Sequence, residues 1–411
     1  MSAPDGRDVV ITGVGAVTAA GLGAPALWQA MRDATSMIAP YAFDEAPASD
    51  TRARIAARCT AFDPAAHFDD RRLALADRIS QFALVAAREA VAQSGIDLRR
   101  DGLADRAAVV IGTGIGGQMS HDEQSRRLYR DGASRLHPMT VVRIMPSAAT
   151  SLVGMEFGAT GPAFATTSAC ASANHAIAQA AMLLRAGLAD VAITGGSEAC
   201  ISYSCVKAWE AMRVLADDTC RPFSKQRRGL VLGEGAGVFV LETAEHARRR
   251  GATILAELAG VGMSADAGDM VAPSVEGQSA AIRRALTDAR LDAGDVDYIN
   301  AHGTGTQAND ATECAAIRAV FGAYAANVAV SSTKGVHGHA LGAAGALELV
   351  AALGAIANGV IPPTANYLDP DPACDLDVVP NTARERRVRA ALSNSFAFGG
   401  LNAVLAVRAA G

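Results

Sequence analysis

The chain is predicted to be an α/β protein with strands buried on both faces. Three observations carry that reading. Short β-branched or apolar runs alternate with helix-periodic segments along the 411 residues. Half of the residues are apolar and only 19% are charged, so a large core can form. Glycine-rich turns repeatedly follow the strand-like runs, as at 13–15 and 112–117.

Taken in order, Val9-Val10-Ile11-Thr12 is the first strand and leads into Gly13-Val14-Gly15. A helix is predicted over 77–94. The run 107–111 is the next strand and opens into Gly112-Thr113-Gly114-Ile115-Gly116-Gly117. Ala163-Phe164-Ala165 is a short strand that meets small residues, then a helical run ending at Gly187. Further strands are expected at 191–194, 237–241, 296–301, 328–331 and 404–407. Their apolar character predicts burial and largely parallel pairing. The run Arg248-Arg249-Arg250-Gly251 is helix C-terminal chemistry. It marks a boundary between two halves, 1–250 and 251–411. No low-complexity linker separates them, so they are expected to pack together. The most apolar stretch, 341–361, carries Glu348 and many small residues. It reads as a buried helix rather than a membrane span.

The net charge of −5 gives no general attraction to nucleic acid or to an anionic membrane. The seven cysteines (Cys59, Cys170, Cys200, Cys205, Cys220, Cys314 and Cys374) are scattered and form no C-x-x-C pair. Neither a disulfide framework nor a zinc site is indicated, and a reducing cytoplasm is the expected setting. Residues 1–8 carry early acids and no apolar stretch of signal-peptide type.

Three motifs carry chemistry. Cys170 lies in Thr166-Thr167-Ser168-Ala169-Cys170-Ala171-Ser172-Ala173-Asn174-His175, at the predicted N-terminus of a helix. Such a position lowers a thiol pKa and offers backbone N–H groups to an oxyanion. A buried, inert cysteine is the other reading. His302 leaves a strand into Gly303-Thr304-Gly305-Thr306, placed either for acid–base work or as a turn histidine satisfied by backbone. The hydroxyls of Thr304 and Thr306 suit an amide-bearing substrate arm. Lys334, His337 and His339 share a glycine-rich turn before the apolar helix, and no matching carboxylate cluster makes His337 and His339 a metal pair. The G-x-G-x-x-G at 112–117 is followed by a polar, charged segment instead of a second strand ending in an acid, so it reads as a turn beside a cavity. Asn309-Asp310 reads as a helix N-cap. Ser393 to Asn402 is a second small-residue turn, with Phe396, Phe398, Gly399 and Gly400 able to form a gate.

An ordered series of motifs completes the pattern. It comprises 10–15, the Cys170 turn, Arg221-Pro222-Phe223, 229–237, the His302 loop, Ser331-Ser332-Thr333-Lys334, 338–345, Pro362-Pro363-Thr364, Cys374-Asp375-Leu376-Asp377 and the Phe398 turn. In this series the chain resembles the β-ketoacyl-[acyl-carrier-protein] synthases of the elongating group I/II branch, over nearly its whole length. The resemblance implies a thiolase-like fold of two similar halves stacked as five αβαβα layers, in a homodimer or pseudo-dimer. It implies that an acyl carrier protein thioester acylates Cys170, and that malonyl carrier protein then decarboxylates and attacks, adding two carbons to a fatty-acid or polyketide-type chain. His302 and His339 would stabilise the enolate, with Lys334 in support. The N–H groups of Cys170 and Phe398 would form the oxyanion hole, and Phe398 would gate the pocket. Ile115, Trp209, Phe396 and Gly399 join Thr304 and Thr306 as expected substrate contacts. No metal or redox cofactor is implied.

The departures bear on substrate. His337 stands where fatty-acid enzymes often carry Thr. Ala397 and Leu401 replace the commoner Gly and Thr, and Trp209 falls where many group II members have Phe. A specialised synthase for polyene, polyketide or nodulation-type chains is therefore an alternative to housekeeping synthesis. A non-elongating pseudo-dimer subunit and a degradative thiolase are further alternatives. The retained Cys170 argues against the first of these two, and Phe398 in place of a second cysteine argues against the second. Carrier proteins are acidic, so Arg213, Arg71 and Arg72 are candidates for a locally basic docking surface.

Overall fold

The computed structural model describes residues 8–43, 51–100 and 102–410. Most of the 1–8 segment therefore lies outside the described residues. Val9–Thr18 holds the architecture together because both its edges are paired. On one side lie Gly235–Thr243, Val191–Glu198, Ala107–Gly112 and Ala163–Thr166, in that order. On the other lie Ala256–Ala265, Leu401–Arg408, Ala390–Ala397, Tyr298–Asn300 and Ala329–Ser331. With the short Gly21–Leu22 strand they make one 11-stranded sheet.

The two wings repeat one pattern. Each has two parallel ladders at its outer edge, then two antiparallel ladders toward the centre. Among the described residues, the named strands of the two wings pair with each other at Val9↔Leu258, Val10↔Glu257 and Ile11↔Ala256. Largely parallel pairing was expected and is corrected: most ladders of the sheet are antiparallel. These strands are buried on both faces at nearly every position, so their patterning does not report direction.

Two helices lie between the wings and touch strands of both: Ser172–Arg185 and Ala344–Asn358. Both are rich in alanine and buried over most of their surface, as a helix apolar on all sides must be. The segment Leu341–Asn358 is long and apolar enough to cross a membrane, but 78% of it is buried inside the protein. Arg78–Ser94 covers the outer face of one wing, with Asp77 capping its N-terminus. Val275–Ala289 covers the outer face of the other. Helix, sheet, central helices, sheet and helix make the five layers of a thiolase-like fold.

Two long strands escaped the sequence reading, Ala256–Ala265 and Ala390–Ala397, besides short ones such as Gly21–Leu22. Both are built from Ala, Gly, Ser and Leu with few β-branched residues, so propensity is silent and tertiary packing decides. The basic run at 248–251 does end a helix, Ala244–Arg249, with Gly251 at φ 71°.

Candidate active site

Cys170 sits in a single 3-10 turn, Ala169–Ala171, directly before the Ser172–Arg185 helix. The turn is tight: Ala169 has φ 47°. Ser172 Oγ accepts from Ser168 N at 2.9 Å and donates to Ala169 O at 2.6 Å, closing it. Small residues are required beneath. A Cβ on Gly112 would lie 2.4 Å from the Ser172 carbonyl carbon. The thiol is not lowered as a helix N-terminus alone predicts. Burial pushes it up to about 12, against a nearby Lys334 cation, and the Glu198 and Glu348 carboxylates push it further.

His302 follows the Tyr298–Asn300 strand. Its loop is held from behind by Glu313, which accepts from His302 N at 2.8 Å and from Gly303 N at 2.7 Å. Lys334 Nζ lies 3.3 Å from His302 Nδ1, donates to the His302 carbonyl and pairs with Glu348 from the central helix. His339 Nδ1 accepts from Leu341 N at 3.2 Å. The two rings meet edge to face, with centroids 5.3 Å apart. In both rings Nδ1 faces a donor, so the neutral imidazole carries its proton on Nε2. Burial, followed by the Lys334 charge, holds both imidazoles well below the ordinary histidine range. At neutral pH they are uncharged N–H donors.

The structure brings the three motifs together. The Cys170 sulfur and a ring nitrogen of each of His302 and His339 lie within 4.8 Å of one another. Such spacing also suits a metal ion, but the Lys334 ammonium immediately behind His302 opposes a dication there. The trio opens into a cavity of about 110 Å³ that Trp209, Thr304, Thr306, Phe396 and Phe398 also line. Thr304 and Thr306 hydroxyls are 2.9 Å apart. Phe398 and Trp209 stack with centroids 5.9 Å apart and planes 25° apart, so the indole and the turn aromatic form one wall. Gly399 and Gly400 have φ of 81° and 68°, a backbone that residues with a side chain rarely adopt.

Other expectations land elsewhere. Ile115 is 38% exposed and does not line this cavity. Gly399 gives its N–H to Met270 O at 2.8 Å, and Gly400 lines the cavity instead. His337 is a turn clamp: its ring bridges Thr333 Oγ1 and Gly338 O, at 2.9 and 2.8 Å. Thr306, not Asn309, caps the Gln307–Phe321 helix, while buried Asp310 accepts from Phe223 N and Gly305 N. Arg213 is exposed beside Arg52 and Lys207. Arg71 is exposed, and Arg72 is committed to Glu156 at 2.6 Å.

Three buried acids were missed as parts of the site. Glu313 holds the His302 loop and Glu348 holds Lys334. Glu198 takes N–H groups from Gly114 at 2.6 Å and Gly342 at 3.0 Å, joining the first glycine turn to the His339 loop. The sequence signal was an acid at the end of or inside an apolar run, which calls for a buried partner.

This cysteine–histidine–histidine centre on a thiolase-like scaffold defines a condensing enzyme of the acyltransferase class. The family comparison agrees. Residues 6–247 match the Beta-ketoacyl synthase N-terminal domain, and residues 255–368 match the Beta-ketoacyl synthase C-terminal domain. The chain belongs to the β-ketoacyl synthase family. It is 53% identical over 402 residues to Nodulation protein E of Rhizobium sp. (strain N33), covering 98% of this chain and 99% of that protein. It is 40% identical over 407 residues to 3-oxoacyl-[acyl-carrier-protein] synthase 2 of Staphylococcus aureus (strain N315), covering 97% of each. Among solved structures, the ishigamide ketosynthase/chain length factor is similar at a TM-score of 0.93 and 36% identity, over 99% of this chain and 100% of that one.

Proposed function

We propose that the protein elongates a carrier-bound acyl chain by decarboxylative condensation, with Cys170 as nucleophile and His302 and His339 as the donor pair. The observation that carries this reading is the convergence of the Cys170 sulfur and a ring nitrogen of each of two buried imidazoles within 4.8 Å at one cavity. The Cys170 sulfur attacks an acyl thioester, the arm thiol leaves, and the Cys170 proton passes to it. The tetrahedral oxygen is held by the N–H groups of Cys170 and Phe398. A malonyl thioester then binds. Its carboxylate leaves as carbon dioxide, and the electron pair of the broken bond forms an enolate. The Nε2–H groups of His302 and His339 donate to the enolate oxygen. They can do so at neutral pH because burial and Lys334 keep them uncharged yet protonated on Nε2. The enolate carbon attacks the acyl–Cys170 thioester. The β-ketoacyl product stays on its carrier, and the released Cys170 thiolate takes up a proton.

Thr304 and Thr306 take the thioester arm, and Trp209 and Phe396 bound the acyl chain. Residues 1–250 supply the nucleophile and 251–411 the histidines. The partner is an acyl carrier protein, met by the basic surface at Arg213, with Arg71 as a second contact. The protein works in the cytoplasm as a homodimer or beside a ketosynthase-like subunit. A specialised acyl chain is favoured over housekeeping synthesis, since the indole of Trp209 occupies the cavity wall and the nodulation relatives are more similar than the fatty-acid ones.

Intact mass of the protein after exposure to acyl carrier proteins tests the reaction. Wild type gains the acyl mass and Cys170→Ala does not. Acylation or condensation by the Ala variant removes the proposal.

A further inference from the structure

His175 lies on the Ser172–Arg185 helix, just over a turn beyond Cys170, and no step of the condensation uses it. It is half-buried. Its ring nitrogen Nδ1 meets two oxygens of the reactive turn: Ser168 Oγ at 2.8 Å and the Ala171 carbonyl oxygen at 3.1 Å. Ser168 and Ala171 bracket Ala169 and Cys170, so this one nitrogen touches the turn at both ends. A carbonyl oxygen only accepts, so Nδ1 carries the proton and Nδ1–H bridges both oxygens. This is the reverse of the tautomer at His302 and His339. Burial holds the ring below the ordinary histidine range, against the Ala171 bond, so it is uncharged at neutral pH.

The turn needs such a clamp. Ala169 has φ 47°, a left-handed backbone that a residue with a Cβ adopts at a cost. Ser168 before it has φ −139° and ψ 48°. Strained backbone persists only where its surroundings fix it. The main chain is fixed by Ser172, which accepts from Ser168 N at 2.9 Å and donates to Ala169 O at 2.6 Å. Thr166 Oγ1 donates to Ser172 O at 2.8 Å, tying the strand before the turn to the helix after it. His175 adds the Ser168 side chain and the far end of the turn. The Cys170 N–H belongs to the Ala169–Cys170 peptide plane, so its direction follows the Ala169 backbone.

We propose that His175 is a positioning residue for acyl transfer: it fixes the strained turn so that the Cys170 sulfur and the Cys170 N–H meet the thioester carbonyl together. It touches neither the substrate nor the reacting atoms. The assignment rests on the reading of Cys170 as the acyl acceptor.

The test uses full-length protein and the acyl-loaded carrier protein that wild type accepts fastest. Intact mass follows acyl–Cys170 formation in a single turnover over a range of carrier concentrations. The limiting rate and the half-saturating concentration are read separately. His175→Leu removes the donor and keeps the bulk. Its limiting rate should fall about tenfold with the half-saturating concentration unchanged, since the arm is bound elsewhere. His175→Asn offers an amide N–H close to the position of Nδ1 and should return the rate to within about threefold of wild type. Ser168→Ala loses one of the two contacts and should fall between Leu and wild type. Should His175→Leu not fold, Ser168→Ala decides alone. An undiminished rate, a loss carried by the half-saturating concentration, or an Asn variant no faster than Leu each overturns the assignment while the condensation reading stands. A wild type that is not acylated removes both.

Discussion

The two wings of the sheet share one strand pattern yet hold their reactive groups by opposite means. In the wing that carries Cys170, the reactive turn is held by a close backbone approach, Gly112 against Ser172, and by small polar groups: Ser172 Oγ on Ser168 N and Ala169 O, and the His175 ring beside Ser168 Oγ and Ala171 O. No ion pair is formed by that turn among the described residues. In the wing that carries the histidines, the loops hang on buried ionic groups: Glu313 on the His302 loop, and the Lys334–Glu348 pair beside it. The difference follows from the two jobs. A nucleophile must be reached by a bulky thioester, so its surroundings must be small. Two imidazoles must each keep one tautomer and stay uncharged, so fixed hydrogen-bond partners and a nearby cation are needed behind them.

The largest effect should come from breaking the ionic side. Lys334→Met leaves Glu348 buried without its cation, a loss of about 3–5 kcal/mol in unfolding free energy by denaturant titration. Lys334→Met with Glu348→Gln should recover part of that. The same change acts on pH. His302 and His339 lie well below the ordinary range partly because of the Lys334 charge. The donor form is the neutral one, so condensation should persist well below pH 6.5 in wild type and fall as pH drops through the lowered pKa values. Without Lys334 those values rise, and the acid limb of the kcat profile should move to higher pH. An unmoved limb would separate Lys334 from the histidines.

Breaking the backbone side should cost less in stability and more selectively in acylation. Gly112→Ala forces a Cβ against the Ser172 carbonyl, for a loss of about 1–3 kcal/mol. Acyl–Cys170 formation by mass spectrometry should slow more than pantetheine binding weakens. An effect on binding alone would mean that the turn is not what Gly112 supports. The smallest effect sharpens the comparison where the wings meet. Trp209 comes from the first and Phe398 from the second, and their stack is worth about 0.5–1.5 kcal/mol. Trp209→Phe should leave the unfolding midpoint nearly unchanged and shift the acyl-chain preference toward longer chains in a panel of acyl carriers.

Much of this site was legible because its motifs are local. A thiol among small residues, a histidine leaving a strand into Gly and Thr, and a late glycine turn with Phe398 each announce themselves within a few positions. Glu198 did not, since its partners Gly114 and Gly342 lie far away in sequence, and Glu313 did not, since its helix must fold back on the His302 loop before the two meet. Ile115 and His337 show the reverse: a motif position named them, and the side chains turned to solvent and to a local clamp.

By itself the sequence determined the α/β class, the family and the three motifs that meet at the cavity, because apolar periodicity and turn chemistry are short-range. Tertiary structure alone decided strand direction, the raised Cys170 thiol and the single tautomer of His302 and His339. Each of these depends on desolvation and on hydrogen bonds from residues distant in the chain. Desolvation and partner geometry exist only once the two wings have closed around the central helices.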